Sequence, residues 1–141
     1  MKNEDTPNRP ADCIPHLRAI SDTQYVLSGK WKVVIIGSLS FSKKRFTELK
    51  DALEGIGSKM LAKELQELVQ NGIVKRTVAE DDGKAVEYEL TAYGYSVKPV
   101  IDAMAAWGKQ HRDYIIKEMK TLTSDGNGPQ RIHHVSTHSK G

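Results

Sequence analysis

Lys59, Lys63, Gln66 and Gln70 follow one another at intervals of four, three and four residues. On a helix turning about 100° per residue, those intervals gather four long hydrogen-bond donors on one face, opposite Leu61, Leu65 and Leu68. Such a face suits a DNA groove, because lysine reaches guanine O6 and N7 or a phosphate oxygen, and glutamine pairs with adenine. Glu64 and Glu67 fall on its flanks. An ordinary surface helix also carries two lysines on its wet side, so the neighbouring segments have to decide. Lys75 and Arg76 open an alternating run at 73–79, and Lys84 leaves the link to a second run at 85–90, where they would meet the phosphate backbone. Asp81 and Asp82 in that link would be repelled inside a groove, so contact is expected from the flanks of the hairpin. Lys43, Lys44 and Arg45 form either a phosphate clamp or a solvated turn, and the clamp is favoured.

The other chemically capable residues show no catalytic spacing. The G-x-S-x-G pattern, a phosphate-cradling glycine loop and paired cysteines are all absent. His133, His134 and His138 lie in a Gly-, Ser- and Thr-rich tract that offers a metal no fixed geometry. An enzyme is therefore not expected, nor a cofactor or a metal. Cys13 is the only thiol and cannot close a disulfide within one chain, which fits a reducing cytoplasm. Residues 1–10 are polar, unlike a signal peptide, and apolar runs such as 33–36 are far too short to span a bilayer. A soluble cytoplasmic protein without a membrane partner is expected. Trp31, Trp107, Tyr88 and Tyr93 are read as packing or interface residues.

Those donors need a scaffold, and 141 residues fit one compact domain with tails. The net charge is +3, and residues 30–90 hold eleven Lys/Arg against ten Asp/Glu, so bulk charge alone does not announce a nucleic-acid partner. Residues 1–12 read as a flexible arm. A first helix enters at Asp12-Cys13-Ile14-Pro15, carries Leu17, Ile20, Tyr25 and Leu27, and stops at Ser28-Gly29. A second at 30–39 should bury Trp31, Val34, Ile35 and Leu39. After a polar turn at 41–44, a third at 45–53 carries Phe46, Leu49 and Leu53. Gly55-Ile56-Gly57 breaks the chain, Ser58 can cap the fourth helix, and Asn71-Gly72 ends it. The period then changes to two, giving a hairpin linked by residues 80–84. Thr91 could cap a last long helix reaching about Lys120, with Val97, Ile101, Met104, Gly108, His111 and Ile115 along one side. Residues 121–141 read as disordered.

Four helices, the third and fourth joined by a tight turn as a helix-turn-helix, then a hairpin and a closing helix give an α+β, mainly α class: a winged helix-turn-helix with extra N- and C-terminal dimerisation helices. The apolar side of the last helix exceeds what one small domain covers, which predicts a two-fold homodimer.

Gly29-Lys30-Trp31, Lys44-Arg45-Phe46-Thr47-Glu48-Leu49, Gly55-Ile56-Gly57-Ser58-Lys59-Met60-Leu61, Asn71-Gly72-Ile73-Val74, Val86-Glu87-Tyr88-Glu89-Leu90-Thr91 and Trp107-Gly108 together resemble the HxlR family of regulators, relatives of MarR. The resemblance spans about residues 27–115. It implies a winged-helix homodimer joined by its first and last helices, acting on double-stranded operator DNA and responding to an effector that the sequence does not identify. The recognition helix corresponds to residues 58–70, and the DNA-facing set becomes Lys43, Lys44, Arg45, Ser58, Lys59, Ala62, Lys63, Gln66, Arg76 and Lys84. Many members sense oxidants or electrophiles through a thiol near the N-terminus, the region where Cys13 lies. The domain of such a protein would run over residues 13–120. The alternative is a winged helix that docks on protein and shows no salt-dependent affinity for duplex DNA.

Overall fold

Isoleucines at 35 and 36 and a leucine at 39 leave little wet surface on the short helix that carries them, and α2 (Lys32–Leu39) sits at the centre of the core. The computed structural model describes residues 10–80 and 83–125. Among these the order is α1 (Pro10–Val26), α2, β1 (Lys44–Arg45), α3 (Phe46–Ala52), α4 (Ser58–Gln70), β2 (Val74–Val78), β3 (Val86–Leu90), α5 (Ala92–Tyr95) and α6 (Lys98–Asp125). Leu49 of α3, Leu61, Leu65 and Leu68 of α4, and Ile73, Val74 and Leu90 of the hairpin close around α2. Each fully buried aliphatic side chain contributes about 1.5–3 kcal/mol over leaving it exposed. The helix-turn-helix and the wing thus share one core, and α4 is fixed by three leucines at i, i+4 and i+7.

The buried face of α2 is rotated from the expected one. Its buried residues are Lys32, Ile35, Ile36 and Leu39, whereas Val34 is exposed and Trp31 stands at the N-cap, half-buried against the core. The helix starts two residues later than the apolar pattern suggested, and the pattern could not anticipate a buried lysine.

The expected polar turn at 41–44 also changes character. Lys44 and Arg45 form a two-residue strand paired antiparallel with β3, in the register Lys44↔Tyr88 and Arg45↔Glu87, so the sheet has the order β1-β3-β2. Two residues are too few to show a period of two. The hairpin itself falls where the alternation placed it, in the register Val74↔Leu90 through Val78↔Val86. Asp81 and Asp82 at its tip lie outside the described residues, as do the arm at 1–9 and the tract at 126–141 that holds His133, His134 and His138.

Both ends of α4 are set by backbone geometry. Gly57, not Ser58, occupies the N-cap, and Ser58 is the first helical residue. At the other end Gly72 takes a φ of +76°, its N–H bonds the carbonyl of Val69, and the Ile73 N–H bonds that of Leu68. This is a Schellman closure, which needs a left-handed residue after the helix and buries the apolar residue that follows it.

Thr91 caps a shorter helix than expected. Its hydroxyl accepts the Gly94 N–H at 2.8 Å and donates to the Gly72 carbonyl at 2.6 Å, tying the end of β3 to the start of β2. The helix then breaks after Tyr95 and restarts at Lys98. Gly94 is buried, and a Cβ there would collide with the backbone carbonyl of Ile73. Gly94→Ala should therefore cost about 3 kcal/mol, the upper part of the usual range for overpacking, read as a lower midpoint in urea unfolding. An unchanged midpoint would mean that α5 can shift away from the sheet freely.

α6 meets the core through Ile101, with Val97 just before its start, and lies against α2. Beyond its first two turns the apolar side is uncovered: Met104 and Trp107 are exposed, with the Trp107 ring stacked 5.0 Å from that of His111. Tyr93, expected to pack, is exposed, whereas Tyr88 packs against the core. The helix runs to Asp125, past the expected end near Lys120, and α1 begins at Pro10, before the expected entry.

Candidate nucleic-acid interface

With Leu61, Leu65 and Leu68 turned inward, the geometry of α4 leaves Ser58, Lys59, Ala62, Lys63, Gln66 and Gln70 exposed on the outward side. The hairpin extends this surface. Arg76 of β2 and Tyr88 of β3 face Ala62, Gln66 and Val69 across an open cleft of about 350 Å³ floored by Leu65. Four of the candidate contacts named from the sequence are thus neighbours or near-neighbours in space: Ala62, Gln66 and Arg76 along the cleft, with Lys63 one residue from its rim.

The cations on this side differ in how they are held. Lys59 and Arg76 enter no hydrogen bond or ion pair among the described residues. Their donors are available to a ligand, and a guanidinium offers five of them in a fixed fork. The other basic residues are engaged. Lys43 lies 3.4 Å and Arg45 3.9 Å from the half-buried carboxylate of Glu87, and Lys44 donates to the Ser38 carbonyl and the Ser42 hydroxyl, each at 3.1 Å. Lys75 lies 3.9 Å from Glu89. Lys84 is exposed beyond the turn of the hairpin.

Behind α4 is an ionic group that the sequence reading left out. The Lys32 ammonium, on a side chain only 5% exposed, donates to Glu64 at 2.7 Å and to Glu67 at 2.6 Å. Burial works against its charge, but the hydrogen bonds it donates to both carboxylates outweigh burial and hold its pKa above the usual lysine value. Glu67 is held below the usual carboxylate range by its hydrogen bonds with Lys32 and then Lys63. The signal was a lysine inside an apolar helix with two acidic residues three apart on a later one. Nothing in the spacing says that residues 32 and 64 meet. Glu64, read as a flank of the wet face, is in fact buried.

Cys13 is half-buried on α1, with His16 one turn further along and Arg18 beyond it, both exposed. Among the described residues no group of three His, Cys, Asp or Glu side chains is arranged to hold a metal, and no helix is long and apolar enough to cross a membrane.

Residues 26–116 match the HxlR-like helix-turn-helix family. The chain belongs to the HxlR family. The HTH-type transcriptional regulator YtcD of Bacillus subtilis is 41% identical over 93 residues, which are 66% of this chain and 74% of YtcD. Its solved structure is similar with a TM-score of 0.62 at 40% identity, over 67% of this chain and 96% of the solved one. The redox regulator HypR in its reduced form reaches a TM-score of 0.65 at 34% identity, over 70% of this chain and 98% of that one. Quinone-bound YodB from B. subtilis gives 0.56 at 34% identity, over 66% and 98% of the two chains. As an HxlR protein the chain is a transcriptional regulator with a helix-turn-helix domain and not an enzyme. In HxlR terms α3 and α4 are the helix-turn-helix, and the β2–β3 hairpin is the wing beside it.

Proposed function

We propose that this regulator binds a palindromic operator in the cytoplasm as a homodimer, with α4 in the major groove and the flanks of the wing on phosphates. The observation that carries the reading is the outward face of α4, where Lys59, Lys63, Gln66 and Gln70 are exposed beside an Arg76 that has no partner among the described residues. A major groove admits one helix, and a two-fold protein places two such helices on half-sites about one helical turn apart. Lys43, Lys44, Arg45, Ser58, Ala62 and Lys84 border this face or the wing and complete the contact set. The uncovered apolar side of α6 and the exposed Ile14, Leu17 and Ile20 of α1 support the dimer. Sequencing the genomic fragments retained by the purified protein tests the reading. Recovery of one palindromic motif is expected, and recovery of random fragments would reject it.

The signal in this proposal is an oxidant or an electrophile acting at Cys13. Similarity to the redox regulator HypR and to YodB, solved with a quinone bound, supports it. With one cysteine in the sequence, an oxidant leads to a disulfide between subunits or a mixed disulfide with a small thiol, whereas an electrophile such as a quinone alkylates the thiolate. Because α1 belongs to the proposed interface, such a change would alter the distance between the two recognition helices. Diamide or a quinone should weaken operator binding by the wild type about tenfold or more, a coupling of the usual allosteric size, and should leave Cys13→Ser unaffected. Equal responses in a gel-shift titration would make Cys13 a bystander.

A further inference from the structure

The four charged groups on the inner edge of the α4 face form a closed set. Lys63 Nζ lies 3.1 Å from Glu67 Oε2 and 3.7 Å from Glu64 Oε2, while Lys32 Nζ holds the other oxygens of the same two carboxylates. Each carboxylate thus bridges two lysines. Lys32 and Glu64 are buried, with side chains 5% and 8% exposed, whereas Glu67 is 39% and Lys63 61% exposed. Only Lys63 can swing out towards a duplex.

Here we infer that Glu67 is an affinity-setting residue of the DNA-binding face, an internal acceptor that competes with the phosphate backbone for Lys63. The inference rests on the proposed operator-binding reading. An exposed lysine ordinarily exchanges water for a phosphate. Lys63 must instead leave two carboxylates, and its departure leaves a single buried ammonium facing two negative groups beside a polyanion. Binding to any duplex is therefore weaker than the number of cations on the face suggests. Lys59 and Arg76, without such acceptors among the described residues, contribute in full. The arrangement also survives loss of the competitor, because Lys32 keeps Glu64 when Glu67 is neutralised.

The test compares wild type, Glu67→Gln, Lys63→Ala and the double variant by fluorescence anisotropy. The probes are an operator duplex and a scrambled duplex of the same length, each over a series of salt concentrations. Glu67→Gln should bind both duplexes about three- to tenfold more tightly, since a charged network exceeds the small effect of an isolated surface pair. Its log affinity should fall more steeply with log salt by about one unit, the slope of one added phosphate contact. In the Lys63→Ala background the same change should give little gain. Glu67→Asp, which keeps the charge but draws it back from Lys63, should lie between, and it serves if Glu67→Gln folds poorly. An unchanged affinity overturns the inference, as does a gain that persists without Lys63 or one confined to the operator at constant slope. Failure of the wild type to bind any duplex would instead reject the operator-binding reading itself.

Discussion

Met104→Asp combined with Trp107→Asp should yield a monomer that no longer retards operator DNA. α6 has 28 residues, which at 1.5 Å per residue makes a rod of roughly 42 Å. It meets the core cluster near its start, through Ile101, with Val97 just before the helix. The outward stripe continues at helical spacing through Val100, Met104, Trp107 and Tyr114, which are 41, 49, 62 and 58% exposed. A stable interface removes about 1,200–2,000 Å² from water, and two such helices with the exposed leucine and isoleucines of α1 can supply an area of that order. Tryptophans at the centre of an interface are frequent hot spots worth about 2 kcal/mol or more when truncated, and an aspartate buried without a partner adds a desolvation cost. Neither residue belongs to the buried core cluster, so circular dichroism should remain close to wild type, while thermal melting should fall by the share that association contributes. A monomer grips one half-site at a time, and operator affinity should fall by about a hundredfold or more, as it does when bivalent engagement is lost. Sedimentation that still shows a dimer for this variant would place the interface elsewhere.

The parts of the fold legible in the sequence are those governed by period and punctuation. Leu61, Leu65 and Leu68 announced α4 and its inner face, and Asn71-Gly72 its end, because a left-handed closure narrows the choice of residue. The hairpin was legible through its alternation and Gly83. What escaped was whatever depends on contacts between distant segments. β1 exists only because Lys44 and Arg45 lie against β3. Val34 and Lys32 exchanged places between core and surface because Glu64 and Glu67 wait on α4 to receive an ammonium, a pairing across 32 positions of sequence. By contrast, the division of α5 from α6 puts Pro99 in a first helical turn, where its missing N–H costs nothing, a local signal that the expectation of one continuous helix passed over. The candidate site divides in the same way. Its donors could be named from spacing, but which are already held by a carboxylate could not, since Glu87 meets Lys43 and Arg45 only in the folded sheet.

That distinction ranks the contacts, and it leads to the second large effect. Lys59→Ala with Arg76→Ala should lower operator affinity about a hundredfold, whereas Lys43→Ala alone should change it only slightly. Lys59 stands in the first turn of α4, the end that reaches base edges when a recognition helix enters a major groove. Arg76 lies across the cleft from Gln66, placed to straddle the groove edge. Neither has an ion pair to break among the described residues, so its full interaction with DNA is retained, about 1–3 kcal/mol for a good base contact, and 1.4 kcal/mol corresponds to a tenfold change. Lys43 begins from an ion pair with Glu87, and a phosphate would merely replace one anion by another. The salt dependence separates the roles of the two stronger contacts. If both meet phosphates, the slope of log affinity against log salt falls by about two per subunit, and binding weakens on every sequence alike. If Lys59 reads a base, the slope falls by about one, and discrimination relaxes at one position in each half-site. Since neither side chain is part of the core, thermal melting should not move. An affinity within twofold of wild type for the double variant would show that the duplex approaches another face, and Lys43, Lys44 and Arg45 would then be the cations to remove.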